Sequence, residues 1–423
     1  MKTVRTLLFL AGLVLVPALA LAAGTGWETH LASQPTGPEL FLGIDKESQT
    51  FYMFGKKSPL EVLRKLTCTT GQDMGDKTRE GDKKTPEGVY FVEEKVPGKL
   101  DYELYGNYAF SLNFPNPIDR LKGKTGHGIW IHGRGKQLVS RDTRGCVALT
   151  ANDIKSLDGR IPFGTPVIIA KKLTWTRDAQ SDPTAQQLAE RVRQWAGDWQ
   201  NKRDRFFDYF QPEKFAQTEG VSFASFKSHK QGIFARQPWI HVMVDNVRVI
   251  QGPDYWVTTF DQFYRTQSLI SAVGKRFYWQ KDRDGAWRIV GEEYTDVPPG
   301  KLETRYLTSK RAEVDKLLKS WMEAWLSADT DKYMAFYAEN ASNGKQNSAE
   351  AIREYKKSLW ITKTPVRIAA DRVEVALHKQ GLKVSFIQTY EDNSGHSDKG
   401  PKTLILAPKG DGWIIESENW GKS

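Results

Sequence analysis

The stretch "IHGRGKQLVSRDTRGCVAL", residues 131–149, places a histidine and a cysteine fourteen positions apart on either side of a polar, glycine-containing segment. Cys146 is one of two cysteines in the 423-residue chain. It directly follows Arg144 and Gly145, a positive and amide-rich setting that favours a thiolate. His132 ends an apolar, strand-like run. A strand, a loop and a return would bring its imidazole to the thiol, which is the arrangement of cysteine nucleophilic catalysis.

A second histidine, His127, competes for the role of base. In an extended strand, residues 127 and 132 point to opposite faces because side chains alternate, so only one of them can face Cys146. We favour His132, which Gly133 and the following loop leave open at the end of the strand. A backbone carbonyl near Gly133 would orient the second ring nitrogen. His127 then has a structural role, provided that the strand has no bulge.

Around this segment, residues 39–172 read as short strands separated by turns. A hairpin is expected near residues 39–55, further strands near residues 61–71 and from Val89, and a buried strand in "IPFGTPVIIAKK". Thr150 is placed to cap a short helix, with Asp153 three positions on. Many short strands with few small helices predict a mostly-β barrel or sandwich domain.

The C-terminal half repeats itself at an offset of 126 residues, so we predict two related units, 186–298 and 310–423. Each reads as an amphipathic helix, a variable segment and three or four long strands, which predicts an α+β fold with helices in the concavity of a curved antiparallel sheet. Connectors are expected near residues 176–187 and 296–311. The matched positions are Trp195 and Trp321, Trp199 and Trp325, Asp245 and Asp371, Phe260 and Phe386, Tyr264 and Tyr390, and Trp287 and Trp413.

The N-terminus "MKTVRTLLFLAGLVLVPALALAAG" has a basic start, an apolar run and small residues near Ala22, which is typical of a secretory signal peptide over residues 1–22. The mature protein is therefore expected in the periplasm or at the cell wall, with no membrane-spanning segment after signal removal. The chain carries 61 Lys and Arg against 51 Asp and Glu, a net charge of +10 that suits anionic cell-wall polymers or lipid headgroups. Export argues against a nucleic-acid partner.

Two cysteines in an oxidising compartment leave a disulfide open. Cys68, in a β-like run, is expected to be a buried structural residue, and a bridge from Cys68 to Cys146 depends on their proximity. A zinc site is not expected, because no CxxC motif is present and the seven histidines are scattered.

Two motifs resemble the YkuD-type L,D-transpeptidase domain over residues 39–172. The first is "IHG" followed by "TRGCVAL" at residues 143–149, and the second is "GDKKTPEGVY" at residues 81–90. The resemblance implies an exported cysteine enzyme that acts on the tetrapeptide stems of peptidoglycan through a thioester, without metal or cofactor. The expected catalytic set is Cys146, His132, Gly133 and Gly145, and the expected substrate-binding set is Arg144, Arg141 and Thr143, the arginines being suited to carboxylates.

The chain departs from the family at Arg144, where the motif often has His, and at Ala148, where it often has Arg. Such changes resemble the cell-shape L,D-carboxypeptidases, which trim a terminal D-alanine and carry an appended nuclear-transport-factor-2-like (NTF2-like, cystatin-like) domain. Both C-terminal units resemble that fold and are expected to bind glycan, stem peptide or a protein partner. Three functions therefore remain open: transpeptidase, which we place first, carboxypeptidase, and a non-catalytic wall-binding scaffold.

Overall fold

The structure is a computed structural model that describes residues 26–57, 59–96, 98–410 and 412–421. The predicted signal peptide, residues 1–22, lies outside the described residues. The described chain contains a mostly-β N-terminal domain followed by two α+β units with curled antiparallel sheets, so the predicted fold class is confirmed. No helix in the described part of the chain is long and apolar enough to cross a membrane.

The N-terminal domain is built on a mixed sheet with strand order β4-β3-β2-β9-β5-β6-β7-β8, beside a parallel pair of β1 and β10. Its elements are β1 (Glu28–Ser33), β2 (Leu40–Asp45), β3 (Thr50–Lys57), β4 (Leu60–Thr67), β5 (Gly88–Lys95), α1 (Tyr102–Tyr105), β6 (Ala109–Leu112), α2 (Pro117–Leu121), β7 (Trp130–His132), β8 (Val147–Ala148), α3 (Ala151–Ser156), β9 (Pro166–Ala170) and β10 (Lys172–Ala179).

Three local predictions for this domain are confirmed: the hairpin, the buried strand and the helix cap. Strands β2 and β3 form the expected antiparallel hairpin, and every residue of β9 is buried. The Thr150 hydroxyl accepts a hydrogen bond from the Asp153 amide at 3.1 Å, as an N-cap of α3. The predicted connector at residues 176–187 is shorter than expected, because β10 continues to Ala179 and the next helix begins at Pro183.

The first C-terminal unit begins with an amphipathic helix and ends in an antiparallel meander of order β11-β12-β13-β14. Asp182 caps the N-terminus of this helix. The apolar face of the helix, which includes Val192, Trp195 and Trp199, packs against the sheet. The elements are α4 (Pro183–Gln200), a 3-10 helix (Asp204–Tyr209), α5 (Pro212–Glu219), α6 (Phe223–Arg236), β11 (His241–Gln251), β12 (Trp256–Arg265), β13 (Ile270–Lys281) and β14 (Trp287–Asp296).

The second unit repeats this plan around Trp321 and Trp325, with sheet order β15-β19-β18-β17-β16. Strand β15 is parallel to β19, and the other pairings are antiparallel. The elements are α7 (Pro299–Leu326), α8 (Thr330–Met334), β15 (Tyr337–Ser342), α9 (Ala349–Leu359), β16 (Pro365–His378), β17 (Gly381–Asp392), β18 (Ser397–Lys409) and β19 (Gly412–Trp420).

The connector expected at residues 296–311 is not a loop. Most of it forms the N-terminal half of α7, whose Tyr306 packs its ring 5.0 Å from that of Phe263 on the first unit. Tyr306 also hydrogen-bonds to the Nδ1 atom of buried His241. The Pro-Pro-Gly start suggested a linker, but Pro is favourable in the first turn of a helix, and the apolar contacts with the neighbouring sheet then stabilise it.

The first unit docks onto the N-terminal domain through a shared apolar cluster in which Ile118 and Ile168 meet Tyr255 and Tyr278. The Tyr255 hydroxyl accepts a hydrogen bond from the Val89 amide at 2.8 Å. This contact is centred on β5, β9 and α2. The described side-chain partners of His132 and Cys146, in contrast, all belong to the N-terminal domain.

Candidate active site

Parallel pairing of β7 with β8 brings the histidine and the cysteine to the same edge of the sheet. The register sets His132 opposite Ala148, so Cys146 lies beside the strand that carries His132. The Cys146 Sγ donates a hydrogen bond of 3.5 Å to the Gly128 carbonyl, and the residue is half-buried. Two segments that are separated by a loop in sequence therefore form one site.

The imidazole of His132 is held in one orientation. Its Nδ1 atom lies 2.6 Å from the carbonyl oxygen of Gly133, which fixes Nδ1 as the protonated nitrogen and leaves the Nε2 lone pair as the base. The Tyr105 ring packs against the imidazole at an interplanar angle of 67°, with 5.2 Å between the ring centroids. Gly133 has to be glycine, since a Cβ there would lie 2.7 Å from an Ile154 methyl group.

Burial sets the ionisation state of the pair. Burial, with a smaller contribution from the charge of Arg134, lowers the pKa of His132 to about 4, although the bond to Gly133 opposes the shift. Burial also raises the pKa of the Cys146 thiol, opposed by the Trp130 backbone amide and by the charge of Lys77. Both shifts favour the neutral forms, so the resting pair is a thiol and a neutral imidazole.

His127 lies in the loop before β7 and is exposed. The alternation argument that opposed it to His132 does not apply, because the strand begins only at Trp130. Before that residue, Gly126 and Gly128 interrupt the extended backbone with positive φ angles of 100° and 69°. Glycine readily adopts this conformation, which ends the extended backbone.

Thr143 is buried and acts within the loop. Its hydroxyl donates a 2.7 Å hydrogen bond to the Cys146 carbonyl and accepts one of 3.2 Å from the Gly145 amide. Thr85, from the "GDKKTPEG" loop, donates to the same carbonyl at 3.4 Å and accepts from the Gly71 amide at 2.8 Å. These bonds tie the Thr143 hydroxyl to the backbone of the loop that carries Cys146.

Gly145 allows the cysteine loop to approach its neighbours closely. It has a φ of +133°, and a Cβ there would lie 3.0 Å from the Lys84 carbonyl oxygen. A side chain at this position would therefore be strained in its backbone and crowded against the "GDKKTPEG" loop, which explains the glycine before the cysteine.

The two arginines expected to bind substrate occupy different surroundings. Arg144 is exposed next to Cys146, where its guanidinium is free to reach a ligand. Arg141 lines a separate shallow pocket with Lys46 and Glu87, and its guanidinium lies 3.5 Å from the Lys46 carbonyl oxygen.

Two cations near the pair were not evident from the sequence. Arg134 is 9% exposed and forms a 2.6 Å ion pair with Asp142. Lys77 is 3% exposed and pairs with Asp82 at 2.7 Å. Nothing in the spacing of the chain distinguishes Lys77 from the other lysines of its loop, because its burial depends on how that loop folds against the cysteine.

Cys68 is a free thiol, 1% exposed, in the core of the N-terminal domain, as the buried-residue prediction expected. Burial raises the pKa of its thiol strongly. Cys146 is free as well, so the alternative of a Cys68–Cys146 bridge is not formed. In the described chain, no group of three or more His, Cys, Asp and Glu side chains is arranged to hold a metal ion.

Comparisons with known proteins agree with this architecture. A family model for the YkuD L,D-transpeptidase catalytic domain matches residues 41–169. A model for the Cds6 C-terminal NTF2-like domain matches twice, at residues 187–293 and 313–419, which together cover just over half of the chain at the 126-residue offset.

Among individual proteins, the putative L,D-transpeptidase YafK of Escherichia coli (strain K12) is 29% identical over 178 residues, 39% of this chain and 68% of YafK. The structure of Bd1075 from Bdellovibrio bacteriovorus matches with a TM-score of 0.50 and 25% identity, over 62% of this chain and 94% of Bd1075. The helical cell shape determining protein Pgp2 from Campylobacter jejuni matches with a TM-score of 0.48 and 25% identity, over 60% of this chain and 91% of Pgp2.

The sheet edge that carries Cys146 and His132 thus lies within the YkuD match. The two repeated sheets lie within the two Cds6 matches. The chain carries a domain that matches the YkuD L,D-transpeptidase catalytic domain, and it belongs to the family of the Cds6 C-terminal NTF2-like domain, two copies of which follow.

Proposed function

We propose that the protein is an exported L,D-transpeptidase that acts on tetrapeptide stems of peptidoglycan through a thioester on Cys146. The supporting observation is a half-buried thiol that lies, through the parallel pairing of β7 and β8, next to the strand of His132, whose imidazole Nδ1 is held by the Gly133 carbonyl. This arrangement supplies a nucleophile and a base with its lone pair free, as acyl transfer requires.

In the first step, His132 Nε2 takes the thiol proton and Cys146 Sγ attacks the carbonyl carbon at the L-centre of the diamino acid. Amides in the segment from Arg144 to Cys146 would stabilise the oxyanion; loss of one such donor typically costs about 10² to 10³ in rate. The imidazolium then returns its proton to the leaving nitrogen, the amide bond breaks, and D-alanine departs. The product is a thioester between Cys146 and the shortened stem.

In the second step, an amine of a neighbouring stem attacks the thioester and gives up a proton to His132. The new amide is a 3-3 cross-link, and Cys146 recovers its thiol. If water attacks instead, the product is a free tripeptide. The exposed Arg144 guanidinium suits a stem carboxylate, which an arginine grips through two parallel hydrogen bonds.

The reaction is tested by incubating the purified mature protein with a disaccharide-tetrapeptide and separating the products by mass. A cross-linked dimer together with free D-alanine is the expected result. Tripeptide as the sole product would instead assign the protein as an L,D-carboxypeptidase. An unchanged tetrapeptide would favour a wall-binding scaffold.

The carboxypeptidase is the second candidate because of the two departures from the family motif. Ala148 replaces the usual arginine and is fully buried opposite His132, so no cation projects from that position. Arg144 replaces the usual histidine and is exposed. A site altered at these two positions is expected to bind an amine acceptor weakly. Water needs no side chain to bind it and would then react with the thioester instead.

Replacing Thr143 by valine tests whether this residue positions Cys146 or binds the substrate. We expect kcat to fall by about 10- to 100-fold with KM unchanged, because the loop that carries Cys146 loses two hydrogen bonds and shifts. Steady-state kinetics on the tetrapeptide measures both constants. A rise in KM at constant kcat would show that Thr143 contacts substrate. Thr308→Val, on the exposed face of α7, is the control, and melting temperatures check folding.

The acid limb of the pH profile is expected near pH 4. Only neutral imidazole can accept the thiol proton, and burial lowers the pKa of His132 to about 4, so the base remains competent well below the ordinary value of about 6.5. kcat/KM should therefore be flat from neutral pH down to about 4 and fall about tenfold per unit below that. A limb near 6.5 would contradict this assignment.

A further inference from the structure

The sulfur of Cys146 lies between two backbone groups that favour opposite forms of the thiol. Its Sγ donates a hydrogen bond of 3.5 Å to the Gly128 carbonyl, which favours the protonated thiol. The backbone amide of Trp130 donates to the same sulfur and lowers its pKa, which favours the thiolate. The positive φ of Gly128, 69°, turns the backbone between these two groups. The site thus holds a partner for the sulfur in either protonation state.

One backbone amide is a weak counterpart for a negative charge at a half-buried position. Removing an ion from water is costly unless an opposite charge or several hydrogen bonds offset the loss. Burial raises the pKa of the Cys146 thiol, so the thiolate needs further stabilisation at the moment when His132 takes the proton. A cation near the sulfur would supply it, as in other sites of reactive cysteines.

Lys77 is a buried cation whose charge acts on the sulfur. The residue is 3% exposed, and its positive charge lowers the pKa of the Cys146 thiol, against the effect of burial. Lysine is almost never buried unless it is paired, and here the pair is Asp82. The Lys77 Nζ donates to Asp82 Oδ1 at 2.7 Å and to the Arg79 carbonyl at 3.0 Å.

Asp82 holds the ammonium and is itself held by the backbone of the loop. Its carboxylate accepts hydrogen bonds from the amides of Thr78, Arg79 and Lys84 at 2.8, 3.1 and 3.1 Å. Burial raises the pKa of Asp82, but the bonds from Lys77 and these amides lower it to about 2, so the carboxylate stays charged. Because four donors share its negative charge, Asp82 offsets the charge of Lys77 only in part.

The loop that begins with Lys77 packs on the segment that leads into β7. A Cβ at Gly126 would lie 3.4 Å from Lys77 Cε, and the Glu80 amide donates to the Thr125 hydroxyl at 3.1 Å. Gly126 precedes Gly128 by two residues, and the Gly128 carbonyl is the group that accepts the thiol. These contacts fix the ammonium relative to the sulfur.

The other ionisable groups at the site have different surroundings. Arg144 is exposed, so solvent and salt screen its charge. Arg134 pairs with Asp142 at 2.6 Å, and its charge contributes to lowering the pKa of His132. His132 itself is neutral above about pH 4, because burial lowers its pKa to about 4. Among these described groups, Lys77 is the buried cation whose field acts on the sulfur.

We propose that Lys77 is a positioning residue of the reaction: its ammonium, held by Asp82, stabilises the Cys146 thiolate while His132 carries the proton. The Trp130 amide donates to the same sulfur. Lys77 keeps its three protons throughout, and no atom is transferred to or from it. The proposal rests on the proposed role of Cys146 as nucleophile, and it adds a cation from the loop between β4 and β5.

Alkylation of Cys146 by iodoacetamide tests the proposal without any peptidoglycan. The reagent reacts with the thiolate, so the rate at a fixed pH follows the thiolate fraction. Lys77→Met removes the ammonium and keeps an unbranched side chain. We expect its alkylation rate at about pH 8 to be about 10-fold below that of the wild type, with the pH profile moved to higher pH. Mass spectrometry of the peptide that contains Cys146 measures the rate.

Three further variants separate the charge from the structure of the loop. Lys83→Met removes the same charge from an exposed position of this loop and should leave the rate within about twofold. Asp82→Asn keeps the ammonium and removes its counter-charge, so alkylation should be as fast as in the wild type or faster. Lys77→Arg keeps the positive charge and should recover part of the rate that Lys77→Met loses.

Equal losses of rate in Lys77→Met and Asp82→Asn would show that the pair only holds the loop together and would overturn the proposal. A wild-type rate in Lys77→Met would also overturn it. Melting temperatures check folding, and if Lys77→Met does not fold, Asp82→Asn decides, since a rate below that of the wild type contradicts the proposal. Failure of the proposed function appears in the tetrapeptide assay and leaves the alkylation rates unaffected, so the two failures are distinguishable.

Discussion

Cys146→Ala is expected to lower the rate of D-alanine release from a tetrapeptide stem by about 10⁴-fold or more, because the acyl group then has no sulfur to which it can be transferred. The structure gives this residue a setting that no other thiol in the described chain shares. It is half-buried at the sheet edge next to the strand that carries His132, and its carbonyl accepts hydrogen bonds from two threonine hydroxyls. The release of D-alanine, measured by mass spectrometry, checks the prediction.

Cys68→Ala is the matched control. Cys68 is 1% exposed in the core, and burial strongly raises its pKa, so its loss should change stability slightly and leave kcat within about twofold. Alkylation with iodoacetamide provides an independent readout, since it should label the wild type at Cys146 and not at Cys68. Full activity in the Cys146→Ala protein would refute the enzymatic proposal.

His132→Gln is expected to lower kcat by about 10² to 10⁴-fold at neutral pH, the range over which a positioned general base contributes. The imidazole is neutral because burial lowers its pKa, and its Nδ1 is bonded to the Gly133 carbonyl, so Nε2 is the atom that is lost as a base. Glutamine has a similar polarity but cannot accept the thiol proton.

His127→Gln tests which of the two histidines is the catalytic base. His127 is exposed in the loop before β7, so its replacement should leave kcat within about twofold. Steady-state kinetics of both variants on the same tetrapeptide measures the difference. A larger loss in His127→Gln than in His132→Gln would reverse the assignment of the base.

Several parts of the fold could be predicted from the chain alone because their signals are local. The hairpin of β2 and β3, the Thr150 cap and the buried strand β9 follow from alternation and capping residues. The 126-residue offset predicts two units because each repeat encodes the same helix and strands.

Other features depend on contacts between distant segments. The connector expected at residues 296–311 is largely helical because Tyr306 packs against the first unit, and the Pro and Gly residues of the sequence carry no information about that contact. The shortness of β7, which removes the argument about alternating faces, results from two glycines with positive φ. The internal role of the Thr143 hydroxyl appears only once the loop has closed on the Cys146 carbonyl.

The amino-acid order by itself predicted the candidate catalytic residues, since a His-Gly and a Gly-Cys at this spacing, with a Thr-Pro loop upstream, are properties of the chain. It also determined that the C-terminal half is duplicated. The tertiary structure alone decided the protonation of Cys146 and His132 and the hydrogen-bond partner of His132 Nδ1. Burial and the approach of charges through space set these properties, and both depend on which segments the folded sheet brings together.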